Sequence, residues 1–255
     1  MKPLKKTLAF LLALTVAGCT SEPKKATHTE ASVKKNKIES PLNRKNQLEG
    51  LWISDTYLSK IEKSKSIYAS QEYNTAMLGF QIKNDSLQGF SDYEGGFDAQ
   101  LKYNAAKSKY EYDTKNLDTE FLALPEGFTV NLLQGNKLQL EFTSGKKDIY
   151  RKIDGTIDVE INSILFERSY TDKLTNTGID FSKNGSVTGM QGKTEYRILY
   201  IYDEGYHYDT VFISDKSGDI MAKYQFKVTA EGIRLYNIDD HYKVGKLAYD
   251  LIKNK

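Results

Sequence analysis

From Leu48 onward, apolar and polar residues alternate in short runs, and a period of two restricts such segments to half-buried β-strands. Leu78-Gly79-Phe80-Gln81-Ile82, Leu138-Gln139-Leu140-Glu141-Phe142 and Ile233-Arg234-Leu235 each set apolar side chains on one face. Between the runs lie hairpin sequences: Lys83-Asn84-Asp85-Ser86, Ser144-Gly145-Lys146, Lys183-Asn184-Gly185-Ser186 and Asp215-Lys216-Ser217-Gly218. Eighteen Tyr and eleven Phe against four Pro suit pleated surfaces. The spacing predicts an all-β fold of small antiparallel barrels. Two stretches depart from it. Residues 58 to 72 place Leu58, Ile61, Ile67 and Tyr68 partly on one side of a helix. The tail from Asp240 to Lys255 spaces Val244, Leu247, Ala248 and Leu251 as a short C-terminal helix would, against the outside of the second barrel.

The chain also echoes itself. Lys83-Asn-Asp-Ser-Leu-Gln-Gly-Phe90 returns one hundred residues later as Lys183-Asn-Gly-Ser-Val-Thr-Gly-Met190. Leu138 and Leu140 match Ile233 and Leu235 at an offset of 95, and Trp52 to Tyr57 can be laid on Leu165 to Tyr170. Two explanations stand: duplication of a β-unit, or two β-rich halves that use similar turns. Duplication divides the folded part into units at 48–153 and 154–255, with a helical insertion in the first.

The only cysteine, Cys19, closes a leader of basic Lys2, Lys5 and Lys6, apolar Leu8 to Leu14, and small residues. That is the layout of an export signal over residues 1–18, too short in its apolar part for a permanent span. Val16-Ala17-Gly18-Cys19 resembles the lipobox of bacterial lipoproteins. The resemblance implies that a diacylglyceryl group alkylates the Cys19 thiol, that the chain is cut before Cys19, and that its new amine takes a further acyl chain such as palmitate. Thr20 resembles the residue at that place in lipoproteins sent to the outer membrane of Gram-negative bacteria. With no second cysteine there are no disulfides, so the exported domain must be held by its core.

Residues 19–47 form a lipidated start and a polar tether that cannot bury enough surface to order itself. As a coil, its 28 residues after Cys19 reach roughly 30 Å. Residues 48 to 255 hold 26 Lys/Arg against 31 Asp/Glu, a formal −5, which excludes the electrostatic footprint of a nucleic-acid binder.

Gly50-Leu51-Trp52 followed by a strand, with Ile149-Tyr150-Arg151-Lys152 at the far end of the same unit, resembles the lipocalin-like domains of bacterial lipoproteins. The resemblance implies that Trp52 plugs the closed end of a barrel and that Arg151 lies across its indole. The second half has no Trp, and Phe166 or Tyr170 takes that place.

Catalytic constellations are sparse. His28 lies in the tether, and His207 and His241 share no metal-ligand spacing with other residues, so no metal or cofactor is expected. Walker, dinucleotide and G-x-S-x-G sequences are missing. Tyr206-His207-Tyr208-Asp209 suggests either a polar lip around a ligand or the alternation of a strand. Asp203-Glu204 and Asp239-Asp240 suit solvated turns.

The expectation is a non-enzymatic, membrane-anchored envelope protein that binds a small apolar or amphipathic ligand inside a barrel. Its lining candidates are Leu78, Phe80, Ile82, Phe97, Leu101, Leu138 and Leu140 in the first unit, and Ile198, Tyr200, Val211, Ile213, Phe226 and Leu235 in the second. The alternative is an accessory or inhibitory lipoprotein whose exposed tyrosines bind a protein or glycan partner; an envelope enzyme ranks third. Converting Cys19→Ser should abolish incorporation of radiolabelled palmitate and leave an uncut precursor; a labelled or processed variant would contradict the anchor.

Overall fold

A computed structural model describes residues 46–73, 77–90, 97–112, 126–200, 202 and 206–254. The leader, Cys19 and most of the tether therefore lie outside the described residues, as do His28 and Asp203-Glu204. The described residues belong to one compact unit, Glu39–Lys255, and are mostly β.

Two antiparallel sheets carry the fold. The first contains β1 (Gly50–Ser54), β2 (Gly79–Lys83), β3 (Ser86–Phe90), β4 (Phe97–Gln100), β5 (Lys102–Asn104), β6 (Lys109–Tyr112), β7 (Phe128–Leu133), β8 (Lys137–Phe142) and β9 (Lys147–Ile153). Its order is β4-β3-β2-β1-β9-β8-β7-β6-β5, so the first strand pairs with the last. The two edges, β4 and β5, are joined only through Leu101, and the sheet is a nearly closed barrel.

The second sheet contains β10 (Arg168–Asp172), β11 (Gly178–Phe181), β12 (Val187–Thr188), β13 (Glu195–Ile198), β14 (Thr210–Ser214), β15 (Ile220–Val228), β16 (Gly232–Ile238) and β17 (Val244–Lys253). Its order, β12-β11-β10-β17-β16-β15-β14-β13, repeats the same plan. Here the edges meet: Ser186 bridges Glu195, Val187 N–H donates to the Thr194 carbonyl at 2.9 Å, and Tyr196 N–H to Gly185 at 2.7 Å.

The echo in the sequence falls on equivalent elements. Lys83-to-Phe90 forms the β2–β3 hairpin, and Lys183-to-Met190 the turn between β11 and β12. Leu138/Leu140 and Ile233/Leu235 occupy the penultimate strands β8 and β16, facing inward in each. The N-terminal alignment needs a shift. Trp52 corresponds to Tyr170 rather than to Leu165, which ends a helix. Each is buried on the first strand of its sheet and donates to the carbonyl four residues upstream: Trp52 Nε1 to Leu48 at 2.8 Å, and Tyr170 Oη to Phe166 at 3.2 Å. Gly79 lets β2 close over this end of the first sheet, since a Cβ there would come within 2.5 Å of the Trp52 carbonyl and 2.7 Å of the Phe90 ring.

The first helical expectation holds with altered bounds. Helix α1 (Asp55–Ser64) starts on the Ser54 hydroxyl, which accepts from Tyr57 N–H, and ends at Lys65 in the left-handed region. A 3₁₀ turn, Tyr68–Tyr73, follows. Helix α2 (Ile157–Leu165), capped by Thr156, links the sheets. The expected C-terminal helix is instead strand β17. Its apolar spacing suits a helix, but β10 and β16 both present unpaired backbone edges, and one extended segment satisfies both. Register shifts at Leu235/Tyr236 and Tyr236/Ile238 accommodate the residues that break alternation.

The first interior is filled by aromatic and aliphatic side chains. Phe80 meets Tyr150 with ring centroids 4.6 Å apart, and Phe128 meets Tyr112 at 5.0 Å and Phe142 at 5.8 Å. The second centres on Phe166, which touches Phe181, Tyr196 and Phe226 at 5.1–5.4 Å. Into this second core run Ile53, Tyr57, Leu58, Ile61, Ile67 and Leu78 from the first half, all fully buried. Truncating Trp52→Ala should lower stability by about 3–5 kcal/mol in urea unfolding, and Tyr170→Phe by about 1 kcal/mol; equal effects would contradict their different packing contributions.

Candidate functional site: an aromatic and cationic outer face

The lining candidates from the sequence are core residues. Eleven of the thirteen, Leu78, Phe80, Ile82, Leu101, Leu138, Leu140, Ile198, Val211, Ile213, Phe226 and Leu235, are at most 3% exposed. Tyr200 packs half-buried against the second core, and the Phe97 side chain lies outside the described residues. Leu78 faces the second core, not the first interior. Grooves of about 390 and 840 Å³ do open on the first sheet, beside Tyr110 and Tyr112 respectively, but none of the thirteen lines either one.

Nor does Arg151 lie across the Trp52 indole. In the β1–β9 register Trp52 faces Lys152, whose ammonium sits 5.5 Å from the indole centroid. Arg151, one residue earlier, points to the opposite face. There its guanidinium binds Asp55 at 2.9 Å and Glu62 at 2.5 Å, tying β9 to α1. Burial alone pushes the Asp55 carboxyl up, but hydrogen bonds and charges from Lys137 and Arg151 outweigh it and hold the group below its ordinary value.

Tyr206-His207-Tyr208-Asp209 precedes β14 as a loop, not a strand, and divides in two directions. Asp209 turns inward. Its Oδ1 accepts the N–H groups of Ile67 at 2.7 Å and Tyr68 at 2.8 Å, and the Tyr202 hydroxyl at 3.5 Å. Burial drives its carboxyl above the ordinary value despite these donors. Tyr202 packs edge-on against Tyr68 at 5.5 Å, and burial raises its hydroxyl strongly. Asp209 thus fixes the segment after α1 to the second sheet.

Tyr206 and Tyr208 turn outward. The register aligns Arg197 on β13, Phe212 on β14 and Lys223 on β15 in one row on the outer face. Arg197 lies 5.6 Å over the Phe212 ring, and Lys223 lies 6.0 Å from the Tyr242 ring. The Tyr206 ring stands perpendicular to Phe212, Tyr242 and Tyr208, at 5.8, 4.8 and 6.3 Å. Tyr208 Oη donates to the Tyr242 carbonyl at 2.6 Å. Asp239 accepts from His241 N–H and Lys243 N–H, shaping the β16–β17 turn that presents Tyr242. Beside this row, Lys227 lies 5.4 Å over Tyr236. Burial, aided by Tyr242, raises the Tyr206 hydroxyl above its usual range.

Local sequence signalled the tyrosines at 206 and 208, yet gave no hint of Arg197, Phe212, Lys223 or Tyr242 as their neighbours. Those residues meet only through strand pairing. Among the described residues no group of three or more His, Cys, Asp or Glu could hold a metal, and no helix is long and apolar enough to cross a membrane. No protein-family model, curated protein or solved structure matches this chain.

Because Asp209 binds the proton more tightly folded than unfolded, its contribution to stability falls as pH rises through the unfolded carboxyl value, near 3.9, toward the raised folded value. Asp209→Asn keeps an acceptor oxygen without the buried charge and should leave the Tm at pH 7 equal or higher. Asp209→Ala strands two N–H groups and should lower stability by about 1–3 kcal/mol. A destabilised Asn variant in a thermal melt would contradict this.

Proposed function

We propose that this protein is a non-enzymatic lipoprotein of the cell envelope, anchored through Cys19 to the outer membrane, which binds a protein or glycan partner with its exterior. The observation that carries this is the packing of both sheet interiors. Where a carrier needs an enclosed space, the inward side chains here meet one another, ring against ring. The outer face around Tyr206 has instead the Tyr and Arg composition of contact surfaces.

We further infer that the two sheets are a duplicated lipocalin-like barrel. Their common strand order, and the equivalent hydrogen bonds of Trp52 and Tyr170, support it. Trp52 and Lys152 in the first, and Tyr170 in the second, take the place of the closure residues, while Arg151 serves the helix.

Native mass spectrometry of Glu39–Lys255 should give the bare polypeptide mass, with no co-purified small molecule. A photo-crosslinking residue at position 242 should yield a discrete adduct in whole cells, and one at Lys147 on the first sheet should not. A bound apolar molecule, or no adduct at 242, would overturn the proposal and return the carrier reading.

A further inference from the structure

The outer face of the second sheet displays positive charge on a domain whose formal total is negative. Arg197 and Lys227 are exposed, and Lys223 is half-buried beside Tyr242. Among the described residues none of the three makes an ion pair; each instead lies over an aromatic ring. Such an arrangement leaves guanidinium and ammonium N–H groups free to take an anion. Among the described acids, Asp239 is engaged by the turn, Asp250 pairs with Arg234 at 3.3 Å, and Glu195 and Asp240 are exposed.

Composition also says what kind of partner fits. A standard protein interface buries about 800 Å² on each side around an apolar centre. Here Phe212 is only 9% exposed, and the rings around it are tipped with hydroxyls or capped by cations. The face therefore offers donors and positive charge rather than an apolar pocket. Its cation row crosses three adjacent strands, Arg197 on β13 and Lys223 on β15, so the two backbones stand about 9.6 Å apart at 4.8 Å per strand. A hydroxyl-rich chain bearing a carboxylate at intervals matches both features.

We propose that this face binds an acidic glycan, with Arg197 and Lys223 holding successive carboxylates and Tyr206 and Tyr242 supplying ring edges and hydroxyls to the sugars between. The inference rests on the exterior-binding reading above and names the partner of the same site. Charge complementarity also gives it a salt dependence, because exposed charges are screened within about 8 Å at physiological ionic strength.

The test uses Glu39–Lys255 and four probes: polygalacturonate, neutral dextran of equal length, poly-glutamate, and phosphatidylglycerol vesicles. Polygalacturonate should bind, more weakly as salt rises, while dextran should not. Arg197→Glu with Lys223→Glu should weaken binding by about tenfold or more, and Tyr206→Ala by several-fold, with Lys147→Glu unchanged. Near-UV circular dichroism establishes that each variant is folded. Absent binding, binding indifferent to charge reversal, or capture by poly-glutamate or the vesicles alone would overturn the inference. If position 242 still crosslinks in cells while polygalacturonate fails to bind, the exterior reading survives and the acidic glycan falls. If crosslinking fails as well, both fall.

Discussion

The fold depends on the apolar face of a short amphipathic helix being buried in the core of a sheet to which it does not belong by sequence. Helix α1 follows directly from β1 of the first sheet, yet Tyr57, Leu58 and Ile61 share the second hydrophobic core with Phe166, Phe226 and Leu235. Burying each such side chain is worth about 1.5–3 kcal/mol. The Asp209 carboxylate then fixes the end of the segment through the N–H groups of Ile67 and Tyr68, and Arg151 and Lys137 fix its start through Asp55. The helical segment between β1 and β2 is thus what joins the two sheets.

This arrangement has a consequence for activity. The second interior is completed by side chains from the first half, and the first interior by its own aromatic residues. On the proposed reading, contact with a partner falls to the outer surfaces. The face around Tyr206 stands out there because cations and rings are interleaved by strand register, with Phe212 as their buried base.

Much of this was legible in the sequence, and the failures have physical causes. Alternation located the inward faces of β2, β8 and β16, because a half-buried strand writes its period directly into the chain. The hairpin echo found equivalent turns, since turn chemistry is local. In the tail, Val244, Leu247, Ala248 and Leu251 fit a helical spacing, whereas pairing with β10 and β16 is a tertiary demand that no local pattern displays. The expectation of Arg151 over the indole, where Lys152 lies, has a simpler reason: on a strand, adjacent residues face opposite ways, and only register tells which faces Trp52. The outer face was half visible as tyrosines, while its cations come from two strands, β13 and β15, brought to either side of β14 only on folding.

The central claim is that α1 makes the two sheets one cooperative body. Trp52 is the only tryptophan and lies in the first sheet, so its fluorescence reports that half. Amide hydrogen exchange along β14 to β16 reports the other. Followed together through a urea titration, the two probes should show one coincident midpoint. A second sheet that loses protection while Trp52 stays in its native environment would contradict the claim.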